Sequence, residues 1–384
     1  GVSSGCNNDI PRESVDLKRG KVKMKKAILY IDSMQKGGAQ RVMSVLGKYL
    51  CDKNVETILI NDILPEQGKA EYPIDSRIRR LFLDQGMNSW KNFYRVKRLR
   101  KIVKTEKPDV VLSFLGPPNY RMLVATLGLH CRKVVSVRND PYREYGNSRI
   151  KKAIAGALFH LADGCVFQTE MASEYFPNSV RRKSKVIFNP VMPNFFNKQW
   201  DGRDNSVITV GRLFPQKNHA LLIRAFAEAH KVLPDISLKL YGKGTEERNL
   251  RELARELGIE NCIQFMGEIS NVEDELRHGR CFVLSSDFEG MPNALMEAMA
   301  VGMPVISTDC PCGGPGALVK QEQNGMLVPC GDADILADAI VKMMSSETMR
   351  SRMSVAAKKT AMEFHTDKIM VEWCQFLDAA GEKR

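Results

Sequence analysis

Two carboxylates and two cations in this sequence have the types and spacing to hold one charged, hydroxyl-rich ligand. Glu289 and Glu297 stand eight positions apart in FEGMPNALMEAMAVGMPVIS, residues 288–307, whose pattern predicts a loop, a helix and an apolar strand. Arg212 and Lys217 stand in VGRLFPQKNH, between a predicted strand and the next predicted helix. Carboxylates accept hydrogen bonds from paired hydroxyls, and both guanidinium and ammonium groups bind phosphate oxygens.

The position of these groups at strand ends predicts a site for a nucleotide-diphosphate sugar. Ligands of doubly wound sheets bind at the carboxyl ends of the strands, where helix N-termini add positive charge. There Arg212 and Lys217 would bind the diphosphate. Glu297 would bind the ribose diol and Glu289 a hexose hydroxyl, so the two carboxylates would hold the two ends of one ligand.

Other interpretations of these residues remain open at this point. The two glutamates could be a catalytic acid and base, although proton chemistry at a glycoside would not require Arg212 and Lys217. Glu289 could simply stabilise a helix N-terminus, with Glu297 an ordinary helix-face residue. The two cations could lie in a solvated loop.

Glycines at two further strand ends fit the same kind of site. Gly37 and Gly38 stand between a predicted strand and a helix, where glycine lets backbone N–H groups approach a phosphate or a sugar closely; a tight turn would also require them. Gly242 and Gly244 follow another strand in LYGKGTEE, where Glu247 replaces the third glycine of a dinucleotide fingerprint. These glycine pairs alone are weak signals.

Alternating apolar and amphipathic segments predict an α/β fold with two doubly wound, Rossmann-like domains facing a cleft. The alternation stops in NPVMPNFFNKQWDGRDN and then restarts, which indicates a linker. A final predicted helix begins near Thr366, and the resemblance described below implies that it crosses back to the first domain. The predicted boundaries are a disordered leader 1–23, a first domain 24–190, a linker 191–205, a second domain 206–365 and a crossover helix 366–384.

Composition narrows the class of protein. The sequence contains no run of about eighteen apolar residues and no apolar segment near its start, so we expect neither a membrane-spanning helix nor a signal peptide. Its 10 cysteines are scattered without zinc or disulfide spacing, which favours the reducing cytoplasm. Residues 1–200 have a net charge of +18 and the remainder −6, so we expect the two halves to meet different partners.

Four of these segments together resemble the family-4 retaining glycosyltransferases of the GT-B fold, of the type that builds bacterial polysaccharides and lipid-linked glycans. They are Gly37-Gly38, VGRLFPQKN, YGKG and EGMPNALMEAMAVGMPVIS, in this order, and the resemblance extends over nearly the whole chain from about Met24. It implies a hexosyltransferase that retains the anomeric configuration without a metal ion or other cofactor. The departing diphosphate would take the proton of the acceptor hydroxyl.

The resemblance also assigns roles to residues. It implies that Arg212, Lys217 and Glu289 act in catalysis and that the Gly37-Gly38 loop closes over the cleft. The predicted donor-binding residues are Gly37, Gly38, Arg212, Lys217, Gly242, Gly244, Glu289, Gly290, Met291, Pro292, Asn293 and Glu297.

Two positions depart from the family pattern. Many relatives carry a histidine near the donor sugar, where SVRNDP offers Arg138 and Asn139, which we take as candidate contacts to the sugar or the acceptor. Many also carry an acid soon after a second glycine pair, where this sequence has Gly316 and Ala317. Both departures weaken inference about the sugar, for which UDP-N-acetylhexosamine is our single best hypothesis.

A basic helix in the first half predicts contact with a membrane. Residues 91–107 hold eight Lys or Arg and one Glu, and helical spacing places an apolar face of Val96, Leu99 and Val103 against the sheet. Aromatics beside cations suit an anionic membrane surface, although a solvated cationic face is the alternative. The predicted membrane patch is Trp90, Phe93, Tyr94, Lys97, Arg98 and Lys101.

The expected partners are therefore a nucleotide-sugar donor, a lipid-linked glycan acceptor and an anionic membrane, with the protein peripheral at the inner face of the cell membrane. Three alternatives remain. The first is a nucleic-acid-binding protein, although the sequence contains no recognisable nucleic-acid-binding module. A catalytically inactive nucleotide-sugar-binding scaffold would fit the missing histidine, and a UDP-sugar epimerase of the GT-B fold would need no acceptor.

Overall fold

Two parallel β-sheets carry the architecture of the protein. The computed structural model describes residues 22–35, 37–66, 68–84 and 91–379, with Lys91 described by its backbone alone. The strands are β1 Lys26–Ile31, β2 Glu56–Asn61, β3 Arg79–Phe82, β4 Val110–Phe114, β5 Arg132–Ser136, β6 Gly164–Phe167, β7 Ser184–Val186, β8 Asp204–Val210, β9 Ser237–Tyr241, β10 Ile263–Gly267, β11 Gly279–Leu284, β12 Val305–Thr308 and β13 Met326–Val328.

Helices connect these strands and cover the sheets. They are α1 Gly38–Asp52, α2 Lys91–Glu106, α3 Gly116–Ala125, α4 Pro141–Glu144, α5 Arg149–His160, α6 Glu170–Ser173, α7 Asn178–Arg181, α8 Pro193–Phe196, α9 His219–Val232, α10 Glu247–Glu256, α11 Val272–Leu276, α12 Asn293–Val301, α13 Gly314–Leu318, α14 Ala333–Ser345, α15 Glu347–Ala361 and α16 Thr366–Asp378.

The first sheet has the order β3-β2-β1-β4-β5-β6-β7, with every described pairing parallel. Because side chains alternate along a strand, β1 feeds two cores. Leu29 packs with α1 and α16 on one face, whereas Ile28 packs with α2, α3 and α5 on the other. Helices therefore cover both faces, which explains why the strands are almost wholly apolar.

The second sheet has the order β10-β9-β8-β11-β12-β13 and is also parallel. Val207 of β8 contributes to a core with α9 and α14, and its neighbour Ile208 contributes to a core with α12. The prediction of two doubly wound α/β domains is thus confirmed. In both sheets the strand order reverses beside the first strand, which is where such folds bind ligands.

The last helix returns to the first domain, as predicted. Trp373 of α16 is fully buried in the first domain, with its ring centroid 5.5 Å from that of Phe114. The opening segment lies beside the same helix, because the Lys23 backbone N–H donates to the Asp378 carboxylate at 2.8 Å. Residues 1–21 of the predicted leader lie outside the described residues.

Three features of the connections differ from or refine the sequence-based prediction. The edge strands β7 and β13, three residues each, were not predicted, because their apolar runs are too short to show a period. The predicted linker 191–205 contains the short helix α8. Asp332 caps α14, since its carboxylate accepts from the Ile335 N–H at 3.0 Å. No described helix is long and apolar enough to cross a membrane.

Candidate active site

The loop between β8 and α9 presents the two predicted phosphate-binding cations. Its geometry is set by Asn218, which adopts a left-handed conformation (φ 42°) and caps α9 by accepting from the Leu221 N–H at 3.1 Å. Asn218 also donates to Asp287 at 2.7 Å, which ties this loop to the segment that carries Glu289. Asparagine tolerates the left-handed region and is a favoured cap, so this residue suits the turn.

Lys217 and Glu289 form an ion pair at the carboxyl end of the second sheet. The Lys217 ammonium donates to Glu289 Oε1, and the Ser286 hydroxyl donates to the same oxygen at 2.7 Å. The two side chains are 18% and 8% exposed. Lys217, predicted to bind the diphosphate, and Glu289, predicted to bind the sugar, are therefore in direct contact, so that each side chain orients the other.

Arg212 lies in the same loop as Lys217, five positions earlier in the chain. It is exposed, and its guanidinium carbon lies 5.1 Å from the centroid of the Phe214 ring. It forms no ion pair with any residue that the structure describes. An exposed guanidinium held over an aromatic ring is suited to an anionic ligand. His219, by contrast, is buried at the beginning of α9, and burial lowers its pKa to about 4.

Glu297 lies in the first turns of α12 and faces the first domain. The helix begins at Asn293, with Pro292 at the N-cap. Glu297 is 6% exposed and its Oε1 accepts a hydrogen bond from Arg41 of α1, with which it forms an ion pair. The two predicted carboxylates thus have separate cationic partners.

Close backbone approach explains several of the predicted glycines. A Cβ on Gly38 would lie 2.9 Å from the Asn293 amide nitrogen, so the beginning of α1 packs directly on the beginning of α12. A Cβ on Gly290 would lie 2.9 Å from the Arg138 carbonyl oxygen and 3.1 Å from the Asn139 Cα. The two domains therefore meet along the segment between the two glutamates, and a side chain at either glycine would separate them.

Gly242 and Gly244 allow two loops of the second domain to touch. A Cβ on Gly242 would lie 1.9 Å from the Gly211 carbonyl oxygen. A Cβ on Gly244 would lie 2.2 Å from the Leu213 carbonyl oxygen. Gly242 also has a φ of 139°, a conformation that side chains rarely adopt. These glycines bring their loop against the one that carries Arg212.

Comparison with known proteins identifies the class of this site. The family model described as Glycosyltransferase Family 4 matches residues 36–195, and that described as Glycosyl transferases group 1 matches residues 192–360. A lipopolysaccharide core biosynthesis glycosyltransferase of Rhizobium meliloti, LpsE, is 32% identical over 362 residues, covering 89% of this chain and 96% of the relative. The chain belongs to the family-4 glycosyltransferases.

Other relatives and structures agree with this assignment. A Campylobacter jejuni protein named N-acetylgalactosamine-N,N'-diacetylbacillosaminyl-diphospho-undecaprenol 4-alpha-N-acetylgalactosaminyltransferase is 27% identical, over 92% of this chain and 100% of that protein. The structure of Anabaena HepE in complex with UDP superposes with a TM-score of 0.76 at 18% identity, covering 93% of this chain and 100% of HepE. This likeness supports the GT-B fold.

Asn189 is a central residue of this glycosyltransferase that sequence reasoning missed. Its amide oxygen accepts from Arg138 and, at 2.9 Å, from Gln168. Its amide nitrogen donates to Asn293 at 2.7 Å and to the Met291 carbonyl at 3.3 Å. Asn189 thereby links the first domain to the motif between the two glutamates. Its signal in the sequence was weak, because Asn-Pro looks like the start of any linker.

The two residues predicted in place of the family histidine lie in different environments. Arg138 is buried against the rings of Phe114 and Trp373, at 4.9 and 5.9 Å, and burial lowers its pKa to about 9. Its guanidinium therefore packs inside the first domain, where it also donates to Asn189. Asn139 is half-buried and packs against Gly290, so of the two it lies nearer to the glutamate motif.

Glu144 of α4 is a half-buried acid with one enclosed oxygen, and the sequence did not indicate it. Its Oε1 accepts from the Gly116 N–H, and its Oε2 is enclosed and has no hydrogen-bond partner among the described residues. Burial raises the pKa of this carboxyl to about 7, while the Gly116 hydrogen bond and the charge of Arg138 oppose the shift. It therefore changes charge near neutral pH.

A buried charge cluster lies at the carboxyl end of the first sheet. Asp62, just after β2, accepts from the Tyr30 hydroxyl at 2.7 Å and from Arg121 of α3 at 2.5 Å. Arg95 of α2 lies 3.6 Å from the same carboxylate and pairs with Asp84 at 2.6 Å. The cluster ties α2 and α3 to the carboxyl end of the first sheet. Sequence reasoning missed it because its members are scattered over 92 positions from 30 to 121.

The predicted membrane patch lies on the outside of α2. Phe93 and Tyr94 are exposed with ring centroids 6.0 Å apart, Lys97 and Lys101 are exposed, and Arg98 is half-buried. Trp90 lies outside the described residues.

The neighbouring helix layer adds a second exposed surface that was not predicted. Five apolar positions of α5 and its C-cap face outwards at helical spacing. We call this set the α5 stripe: Ile150, Ala153, Ile154, Ala157 and Leu161. Arg149 and Lys151 are exposed beside it. Val124 and Leu127 are also exposed at the end of α3, which lies between α2 and α5.

Proposed function

We propose that this glycosyltransferase moves a hexose or N-acetylhexosamine from a nucleotide-diphosphate sugar, with a UDP-sugar favoured, to a glycan carried on a membrane lipid. The transfer retains the anomeric configuration and needs no metal ion. The product serves cell-surface polysaccharide or glycoconjugate synthesis, and the protein works as a peripheral protein at the cytoplasmic face of the membrane.

The observation that carries the donor assignment is the set of charges at the carboxyl end of the second sheet. Arg212 is exposed in the loop that carries Lys217, Lys217 pairs with Glu289, and Glu297 lies in α12, eight positions further along the chain. Two cations suit a diphosphate, and two carboxylates held apart suit the hydroxyls of a ribose and a hexose. A site for an uncharged glycoside would have no use for Arg212.

The proposed chemistry breaks the bond between the sugar C1 and the diphosphate oxygen. The acceptor hydroxyl oxygen forms the new bond to C1 from the same face, and its proton passes to the departing phosphate oxygen. Arg212 and Lys217 stabilise the negative charge that develops on the diphosphate, which supplies the main catalytic effect. Glu289, held by Lys217 and Ser286, positions the sugar.

The acceptor class is supported by the names of relatives and by the surface of the first domain. Two Campylobacter jejuni relatives are named as transferases that act on undecaprenol diphosphate-linked glycans. The outer faces of α2 and α5 combine exposed apolar side chains with cations. Such surfaces bind anionic lipid.

The first experiment measures thermal shifts of the purified protein with UDP-, GDP- and ADP-sugars in the presence of EDTA. We expect one nucleotide sugar to raise the Tm, and we expect Arg212→Ala and Glu297→Ala to weaken this stabilisation by about 2 kcal/mol of binding free energy each. Arg248→Ala is the matched control, because Arg248 is exposed on α10 and pairs with Glu252. Absence of any shift in the wild type would contradict the proposed donor.

A second measurement separates the enzyme from an inactive scaffold. The nucleotide sugar that binds is incubated with a lipid-diphosphate-linked glycan library in EDTA, and the anomeric configuration of any product is read by NMR. We expect transfer with retention. Binding without transfer would favour the scaffold, and conversion of the donor sugar without acceptor would favour the epimerase.

A further inference from the structure

The Arg41–Glu297 ion pair joins the two domains at the carboxylate to which we assign the ribose. Arg41 lies in the first turns of α1 and Glu297 in α12, and their side chains are 15% and 8% exposed. The sequence motif around Gly37 and Gly38 assigns no role to Arg41, and the comparisons assign none either.

The environment of Arg41 leaves Glu297 as its ionic partner. In the described part of the chain its guanidinium forms an ion pair with Glu297 alone, and Nη2 lies 3.5 Å from the Pro190 carbonyl oxygen. On its other side Arg41 borders a groove of about 610 Å³, lined mainly by apolar groups such as Tyr72, Met192 and Met370. Apolar walls strengthen the interaction between the two charges, so the pair holds its geometry.

The pair holds one oxygen of the carboxylate and leaves the other available. Oε1 of Glu297 accepts from Arg41, whereas Oε2 accepts no hydrogen bond from any described residue and is not among the enclosed atoms. Gly38 packs on Asn293 one turn away, so α1 cannot move from α12 without opening this contact. A carboxylate fixed through one oxygen can present the other to a ligand hydroxyl in a single orientation.

We propose that Arg41 is a positioning residue for the donor: it holds Glu297 so that its second oxygen accepts hydrogen bonds from the ribose hydroxyls of the nucleotide. This inference rests on the proposed function and extends it to a residue of the opposite domain. It also makes ribose recognition depend on closure of α1 against α12, because Arg41 reaches Glu297 across the interface between the domains.

The test compares ribose with deoxyribose nucleotides. Dissociation constants of UDP, GDP and ADP and of their 2′-deoxy counterparts are measured by calorimetry for the wild type, Arg41→Met, Arg41→Lys, Glu297→Gln and the Arg41→Met/Glu297→Gln double variant. We expect the wild type to prefer the ribose form of one nucleotide by about tenfold or more. In Arg41→Met the preference should fall to about twofold or less, Arg41→Lys should retain part of it, and the double variant should resemble Glu297→Gln.

A merely structural arginine would give a different pattern. Replacing it would weaken the binding of ribose and deoxyribose nucleotides alike and leave the ratio of their dissociation constants unchanged. This result would overturn the inference while the donor assignment stands. Lys48→Met, on the exposed side of α1, is the control and should preserve both affinity and ratio. If the wild type binds no nucleotide, the proposed function fails and the inference fails with it.

Discussion

At the scale of single residues, ion pairs hold the two predicted ligand-binding carboxylates in place. Lys217 holds Glu289, and Arg41 holds Glu297, so each of these two carboxylates has its own cation. A buried carboxylate without such a partner would be costly, because its charge loses the solvation of water. Glu144 is the contrast, since one of its oxygens has no described partner.

Glu144 should make the stability of the protein depend on pH near neutrality. Burial raises its pKa from the usual 4.5 to about 7, so between these values the folded state holds more protons than the unfolded chain. Its contribution is therefore full below about pH 4.5 and is lost as the pH rises through about 7, at a cost of about 3 kcal/mol. We expect Glu144→Gln to raise the free energy of unfolding at pH 8 and to change it little at pH 5.

Urea unfolding at both pH values measures this effect. Glu174→Gln is the matched control, because Glu174 also lies in the first domain but is exposed. Equal stability of Glu144→Gln and wild type at pH 8 would show that the Glu144 charge is solvated and the explanation wrong.

At the scale of elements, α5 has apolar side chains on two opposite sides. Its buried side packs Ala155 and Phe159 on the sheet, and its opposite side carries the α5 stripe. Isolated exposed apolar residues are common, but a continuous helical stripe beside cations is typical of a helix that lies on a membrane. The α5 stripe and the predicted membrane patch on α2 lie on one helix layer, with α3 between them.

Removing the apolar character of the α5 stripe should weaken membrane binding. We expect Ile150→Glu and Ile154→Glu each to reduce binding to vesicles of phosphatidylglycerol and phosphatidylcholine by about tenfold or more, since burying an isoleucine contributes about 2 kcal/mol. Co-sedimentation at physiological salt measures the binding. Val355→Glu is the matched control, because Val355 and Ile150 are both 73% exposed and Val355 lies on α15 of the second domain.

Two outcomes would contradict this assignment. If the wild-type protein stays in solution in the presence of anionic vesicles, the proposed membrane association is wrong. Binding that falls equally in Ile150→Glu and Val355→Glu would indicate a general effect of added negative charge and would not support the stripe.

At the scale of the whole molecule, α16 joins the end of the chain to its first domain. Trp373 fills the core between α1 and the first sheet and lies beside Arg138, which in turn bonds to Asn189 between the domains. The integrity of the first domain therefore depends on residues that follow the second domain in the chain.

Trp373→Ala should destabilise the first domain selectively. Truncation of a fully buried tryptophan costs about 3–5 kcal/mol through lost burial and the cavity that remains. We expect urea unfolding to separate into two transitions, with hydrogen exchange accelerated in β1, β4 and β5 before β8 and β11. Gln375→Ala, exposed on the same helix, should leave both domains unchanged. Equal acceleration in both domains would contradict a selective role.

The sequence by itself determined the fold class and the position of the donor motif. Apolar runs such as those of β1 and β8 are long enough to show their period, and Glu289 and Glu297 lie within one short segment whose local pattern places them in a loop and a helix. These features depend on neighbours in the chain, which a pattern can capture. The roles of the residues are still predictions.

The tertiary structure decided the partners of these residues. Arg41 and Glu297 are 256 positions apart, and Asn189 and Asn293 are 104 apart, so no local pattern links them. The α5 stripe shows the same limit, because the helix carries apolar residues on two sides and its sequence does not say which side the sheet covers. Burial and charge pairing depend on which surfaces the chain brings together, and that is settled by packing of the whole molecule.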